Sequence, residues 1–416
     1  MTHALPSSAN EIARQQKVSF STPASQVAGN SAVGVIILGV EYQALGWLRQ
    51  LRPLGIPCVL VDEDEWGAAR FSRWRCPFFQ SPPYESDEFW PWFERLQERQ
   101  GLDRWVLIPT HDEQVRQISL RLQGASHRFR FAGPNWEVYQ RLYDKRLSYE
   151  WCQRNGIRTP KSYVPRDRAD FPDTLSYPMI VKPAVKSNFK RYTGAKAIQV
   201  NSLDELERLL AGHLRDVSID ELLYQEIIPG GGRQQFSYAG LFVDGTPVAA
   251  FTACRLRQHP PDFGRASTFV MATHDADVEA ESRRVLSLLR YSGLGEVEWK
   301  RDPRDGELKF LEVNARSWGW HSLATRVVVD LAPLLYKHLL GEEVAPVVPS
   351  YGASWVKHIT DVPVVVELLK RGDLSFREYF RSLRGDVMGC EWHPRDPVPF
   401  FAQFLLLPYL VKRRGY

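Results

Sequence analysis

Apolar residues first gather into an unbroken run at VGVIILG (Val33–Gly39), β-branched and closed by glycine. That is the pattern of a strand covered on both faces. A stretch of helical spacing follows at Gln43–Pro53, with Ala44, Leu45, Leu48 and Leu51 on one face. A second continuous strand, PCVLVDED (Pro57–Asp64), comes next. A helix over Phe89–Arg99, a strand at Trp105–Pro109, a helix over Gln114–Leu122 and a short strand at Phe129–Gly133 extend the alternation. Strands and helices in this order predict a doubly wound α/β domain that closes near Asn135.

Helical character returns over Glu137–Asn155 and stops at Gly156. YPMIVKP (Tyr177–Pro183) and AKAIQV (Ala195–Val200) read as two strands joined by a basic loop. SLDELERLLAG is a helix with Ser202 as N-cap and Glu205 three residues on. LLYQEIIPGGG is a strand running into glycines, after which the texture changes to alternating strands, FSYAGLFV and PVAAFTACRLR, around an Asp244-Gly245 turn. A helix over Asp277–Tyr291 precedes the strands GEVEWKR and ELKFLEVNAR. Beyond Pro346 prolines and aromatics interrupt every period, so an irregular C-terminal extension is expected. There is no internal repeat.

Composition narrows the class. A chain of 416 residues suggests two or three domains, and 44% hydrophobic with 25% charged residues excludes a largely disordered protein. The net charge of +4 is small and spread out, so no nucleic-acid partner is expected. Cys58, Cys76, Cys152, Cys254 and Cys390 are scattered without a C-x-x-C pair, which reads as reduced thiols in a cytoplasmic protein. Residues 1–32 have no apolar signal core and read as a disordered arm. No stretch reaches the roughly 18 apolar residues of a membrane span. The nearest, Phe400–Val411, is broken by Gln403 and Pro408 and followed by Lys412, Arg413 and Arg414. Two fates are open to it: Phe400, Phe401, Leu405 and Leu406 dock on the body or a partner subunit, or the segment makes peripheral contact with an anionic membrane.

The sharpest local chemistry lies around Asp305-Gly306. Side chains alternate along a strand, so Glu312 and Asn314 share a face, as do Glu298 and Lys300. A three-residue loop Arg304-Asp305-Gly306, with Gly306 left-handed, pairs Pro303 with Glu307 and therefore Glu298 with Glu312. Two opposed carboxylates and an amide oxygen make a hard, all-oxygen set suited to Mg²⁺ on nucleotide phosphates. An exposed hairpin face with lysine-paired acids is the other reading, and residue types alone leave both open. Lys182, ending an apolar strand, is either a phosphate contact or an edge-strand lysine. Lys186, Lys190, Arg191 and Lys196 surround Gly194 in the loop that follows. His111-Asp112-Glu113 follows a strand's carboxyl end, where ligands bind in α/β sheets and where solvated acids are also common. Trp318, Trp320 and His321 either line a pocket or fill the core.

Taken in order, LYDKRLSYEWCQRNGIRTP, MIVKPA with GAKAIQV, YQEIIPGGG, CRLRQHPPDFG, GEVEWK and FLEVNARSWGW resemble the ATP-grasp superfamily, and within it the carboxylate-amine ligase branch, over about Val33–Glu342. The resemblance implies an ATP-grasp fold preceded by a doubly wound domain: arm 1–32, first domain 33–135, ATP-grasp domain 136–345 (lid about 160–228, C-terminal subdomain about 229–345) and extension 346–416. It implies that Lys145 and Lys182 hold ATP phosphates, helped by Lys196. Gln225, Glu226, Ile227 and Ile228 match the adenine-reading linker, and Glu298, Glu312 and Asn314 the ligands of Mg²⁺, with Mn²⁺ as an alternative. Arg316 matches the arginine that steadies the transferred phosphoryl, and Arg257 a cation for the γ-phosphate or substrate carboxylate. The implied activity is ATP-dependent: a small-molecule or amino-acid carboxylate becomes an acyl phosphate and is joined to an amine. A homodimer is compatible with this picture.

Two departures stand out. VKSNFKRYTG holds a single glycine where many such enzymes have several, and RQQ follows Gly232 where an acid often takes the ribose hydroxyls. Rival readings are a carboxylase or phosphoryl-transfer enzyme on the same site, and a nucleotide-binding module without turnover. No biotin-accepting M-K-M segment occurs. A dinucleotide enzyme is disfavoured because the first loop, GVEYQALG, lacks G-x-G-x-x-G.

Overall fold

The computed structural model describes residues 33–122, 128–171, 175–185, 197–262 and 266–414. The arm 1–32 and the loop residues Lys186, Lys190, Arg191, Gly194 and Lys196 lie outside them. The first sheet holds β1 (Val35–Leu38), β2 (Cys58–Asp62), β3 (Phe78–Gln80), β4 (Trp105–Pro109) and β5 (Phe129–Arg130), parallel and ordered β3-β2-β1-β4-β5. The continuous apolar runs follow from cover on both faces. Val35 and Ile37 pack with Ala44, Leu45 and Leu48 of the helix Tyr42–Leu51, while Ile36 and Leu38 pack with Phe89, Phe93 and Leu96 of the helix Phe89–Gln100. The chain starts at the centre and winds outward both ways, so the order reverses between β1 and β4. Their carboxyl ends flank a natural crevice.

A four-stranded antiparallel sheet follows, β6 (Ser162–Tyr163), β7 (Met179–Pro183), β8 (Ile198–Val200) and β9 (Leu222–Glu226), ordered β6-β9-β7-β8. Met179, Val181, Leu222 and Tyr224 pack on Leu206 and Leu210 of the helix Leu203–Ala211, whose N-cap Ser202 accepts from the Glu205 amide as expected.

The large sheet is built from β10 (Gln235–Val243), β11 (Thr246–His259), β12 (Ala266–Ala272), β13 (Gly293–Arg301), β14 (Leu308–Asn314), β15 (Ser354–Val356) and β16 (Val387–Gly389), ordered β14-β13-β10-β11-β12-β15-β16. Its core is continuous with that of the first sheet. Leu241, Ala249 and Phe251 share one apolar cluster with Leu45, Trp318, Trp320 and Trp355.

Four features differ from the sequence expectation. The single helix over Glu137–Asn155 is two, Trp136–Tyr143 and Lys145–Arg154, because Asp144 leaves helical geometry and its carboxylate caps the second by accepting from the Arg146 amide. The hairpin between β13 and β14 does pair Glu298 with Glu312, but by another route. The Asp302 amide bonds the Glu307 carbonyl, so the loop is one residue longer than expected, and a bulge between Glu298 and Trp299 restores the pairing. Gly306, at φ +76°, takes the left-handed position as expected.

The third feature is the extension beyond Pro346, expected to be irregular. It adds β15 and β16 to the large sheet and the helices His358–Arg371, Phe376–Ser382 and Val398–Arg414. Buried Asp396 binds it to the first domain, accepting from Arg49 at 3.1 Å, the Ser72 hydroxyl at 2.9 Å and the Arg73 amide at 2.8 Å. The fourth is the face by which the final helix docks. Ala402, Gln403 and Leu410 turn inward, and Phe401 and Leu405 point to solvent. No helix among the described residues is long and apolar enough to cross a membrane.

Candidate active site

The four-stranded sheet, the large sheet and the carboxyl ends of β1 and β4 converge on one cleft of about 800 Å³. That volume is ample for a nucleotide and a small substrate. Lys182 reaches it from the end of β7, its ammonium donating to the Gln225 amide oxygen at 2.9 Å. Burial, reinforced by the nearby Lys145 charge, lowers the Lys182 pKa to about 7, against the pull of Glu312 and Glu298. Lys145 begins the helix that Asp144 caps. Its backbone amide donates to the Ala184 carbonyl just past β7, and its ammonium lies 3.6 Å from Glu312. The cap and this single hydrogen bond bring two lysines from separate elements to one spot.

Opposite them, β13 and β14 present the acids. Glu298 accepts from Gln235 at 2.6 Å and from the Asn314 amide nitrogen at 2.8 Å, and pairs with Arg255 at 3.1 Å. Glu296 accepts from the Ser237 hydroxyl and from Asn314; burial, then the neighbouring Glu298 charge, raises its pKa to about 8. The Asn314 amide oxygen accepts from Arg316 at 3.1 Å, and Arg316 also donates to Asp112 at 2.9 Å. That last bond joins the end of β14 to the loop after β4, and His111, Asp112 and Glu113 line the cleft.

Among the described residues no three His, Cys, Asp or Glu side chains are grouped to hold a metal unaided. The donor chemistry nevertheless fits a hard cation carried on a polyphosphate. Glu298 and Glu312 are directly paired across two strands, the Asn314 amide adjoins Glu298, and Arg255 and Lys145 lie beside the two carboxylates.

The linker behaves differently from a bare strand end. The Glu226 carboxylate accepts from the Lys161 amide at 2.8 Å and pairs with Arg304 at 3.0 Å, which pins Glu226 while Gln225 to Ile228 line the cleft. Of the RQQ that follows Gly232, Gln235 donates to Glu298. Of the aromatic group, Trp320 lines the cleft, whereas Trp318 and His321 are core residues and His321 stacks on Trp47.

Arg257 needs correction as a cation for phosphate or substrate. Strand alternation would put Arg255 and Arg257 on one face, but the pairing of β11 with β12 slips between them, leaving Leu256 bulged. Arg257 consequently turns away from the cleft into a buried bidentate pair with Asp361, at 2.8 Å to each oxygen, and lies over the Phe269 ring. Arg255 takes the place in the cleft. Sequence reasoning passed over Arg255, Glu296 and Gln235; the even spacing of Glu296, Glu298 and Lys300 was the one available signal, and it reached only part of the set.

These parts define an ATP-grasp fold with a preceding doubly wound domain, and comparison with known proteins agrees. The chain is 22% identical over 300 residues to a D-aspartate ligase from Enterococcus faecium, covering 68% of this chain and 70% of that one. Among solved structures it resembles the ADP complex of N5-carboxyaminoimidazole synthetase from Staphylococcus aureus, with a TM-score of 0.60, 15% identity and coverage of 78% and 81%. An L-amino acid ligase from Bacillus licheniformis gives 0.54, 16%, and 77% and 75%. The MgADP-bound biotin carboxylase domain dimer of a Hydrogenobacter thermophilus 2-oxoglutarate carboxylase gives 0.59, 16%, and 78% and 74%. No family model matches the chain.

Proposed function

We propose that this protein is an ADP-producing, C–N bond-forming ligase that activates a small-molecule or amino-acid carboxylate with ATP and joins it to an amine. The observation that carries the reading is the convergence of Lys145, Lys182, Glu298, Glu312, Asn314, Arg255 and Arg316 on a single cleft. The likeness to a D-aspartate ligase and an L-amino acid ligase supports the chemistry.

In this reading Lys145 and Lys182 bind the phosphates, and the backbone of Gln225 to Ile228 receives the adenine edge. Glu298, Glu312 and Asn314 would hold Mg²⁺, and the same all-oxygen set also suits Mn²⁺. When bound there, such a cation would supply neutralisation of phosphate charge. The substrate carboxylate attacks the γ-phosphorus, its bond to the bridging oxygen breaks and ADP leaves. Arg255 and Arg316 stabilise the charge on the transferred group. The amine then attacks the acyl carbon, expels phosphate and gives up a proton. Positioning and electrostatics carry the rate, and the covalent work lies in the substrates. A cytoplasmic setting accords with the five free thiols, and a homodimer with the dimeric carboxylase domain among the structural neighbours.

ADP release measured against a panel of amino acids and small carboxylates, each with and without an amine, tests the proposal. Release that requires both substrates and Mg²⁺, and disappears in Glu312→Gln, is expected. ATP binding without turnover on any pair would reduce the protein to a nucleotide-binding module.

A further inference from the structure

The final helix, Val398–Arg414, is half docked. Ala402, Gln403 and Leu410 are buried, and the Tyr409 hydroxyl donates to Asp64 at 2.7 Å. The opposite face is apolar and open: Phe401 is 57% exposed, Phe404 52% and Leu405 84%, with Pro408 and Val411 continuing the stripe at helical spacing. Trp392 stands at its edge, 6.1 Å from the Phe401 ring, and is itself exposed. A docked helix ordinarily keeps its apolar side chains inward, so an outer row of this kind is built for a second surface.

Charge selects the occupant. Between residues 391 and 414 the acids are Glu391 and Asp396, and both are fully buried. The exposed polar groups of the segment include Arg395 and Lys412, and the sequence continues Lys412-Arg413-Arg414. Exposed Arg70 and Arg73 adjoin it, Arg73 donating to the Arg395 carbonyl, and the exposed acid Glu65 lies in the field of Arg70. A second copy docked across the stripe would bring one basic rim against another, with Glu65, already beside Arg70, as the exposed acid near it. The neighbouring helices, which expose Val362, Val366, Phe376 and Phe380, differ: Glu367, Asp373 and Glu378 accompany their lysine and arginines.

We propose that this face is a peripheral membrane-docking surface, the aromatic and aliphatic row entering the acyl boundary of an anionic bilayer while the basic rim meets its headgroups. Pro408 suits shallow insertion, since its missing N–H leaves the Phe404 carbonyl without its helical partner, at a depth where water is still present. The helix sits beside the carboxyl end of β2, the same edge of the first sheet on which the cleft opens.

Sedimentation of the full chain with vesicles tests this. Phosphatidylcholine vesicles carrying about one-third phosphatidylserine should pellet the protein, pure phosphatidylcholine should not, and ~0.5 M salt should release it. The double variant Phe404→Glu/Leu405→Glu should lower vesicle affinity roughly tenfold or more, with melting temperature and ADP formation unchanged, because both positions face solvent and neither lines the cleft. Absence of pelleting, or pelleting indifferent to lipid charge, overturns the proposal. So does a dimer in analytical ultracentrifugation that the double variant dissociates, since a second copy would then cover the face.

Discussion

At the scale of single residues, two arginines two positions apart on β11 have opposite work, and the difference is measurable. Arg255→Met removes the cation beside Glu298 without touching the β11–helix contact, so ADP formation should fall by about 10²–10³-fold in a folded protein. Arg257→Met strands the buried Asp361 carboxylate, whose remaining side-chain hydrogen bond among the described residues is from the Thr268 hydroxyl at 2.8 Å. That change should cost roughly 3–5 kcal/mol of stability and leave the turnover of the folded fraction intact. Thermal melts and kinetics on both variants decide it, and a stable, inactive Arg257→Met would return that residue to the cleft. Lys182 carries a second prediction. Its pKa is depressed to about 7 by burial, so above pH 7 the free protein holds it mostly neutral, while a polyphosphate beside it favours the charged form. ATP binding should therefore be tightest below about pH 7 and weaken as pH rises, with uptake of close to one proton per ATP near pH 8. Titration calorimetry in buffers of different ionisation enthalpy reads that proton, and Lys182→Met should abolish it.

At the scale of elements, what the chain revealed in advance was whatever local patterning decides. The parallel strands were legible because continuous β-branched runs such as Val35–Leu38 need cover on both faces. The helix after Ser202 was legible because its cap lies within the sequence that makes it. What stayed hidden depends on partners distant in sequence. The bulge at Leu256 exists only where β11 meets β12, and it exchanges Arg255 for Arg257. The pairing of Glu298 with Glu312 was reached through a loop one residue too short, because the compensating bulge leaves no trace in residue type. The break at Asp144 lay between: aspartate is a good cap, but the helical period runs straight through it. That cap has a function-level consequence, since it sets the start of the helix carrying Lys145. Asp144→Ala should cost about 1 kcal/mol, and should weaken ATP binding several-fold while kcat holds. Nucleotide affinity equal to the parent would show that the Lys145 amide bond to Ala184 suffices to place the lysine.

At the scale of the whole molecule, the residues past Pro346 belong to the body, and two truncations separate what each part contributes. A chain ending at Ala345 loses β15 and β16, which bares the β12 edge of the large sheet. It also loses Asp361 and Asp396, so the buried Arg257 and the largely buried Arg49 are left without counter-ions. Unpaired buried charge and an open sheet edge are each enough to unfold or aggregate a marginally stable protein, so this chain should be insoluble. A chain ending at Pro397 keeps β15, β16 and both carboxylates and loses only the final helix. The inward side chains removed are few, chiefly Ala402 and Leu410 with the Tyr409–Asp64 bond, which amounts to about 3 kcal/mol. It should stay soluble, melt several degrees lower and retain ADP formation, since the cleft takes no residue from the lost helix. Expression, thermal melts and turnover of the two chains make the comparison. If the chain ending at Ala345 proves soluble and active, the extension is an accessory to the sheet rather than part of it, and the Arg257–Asp361 pair is dispensable.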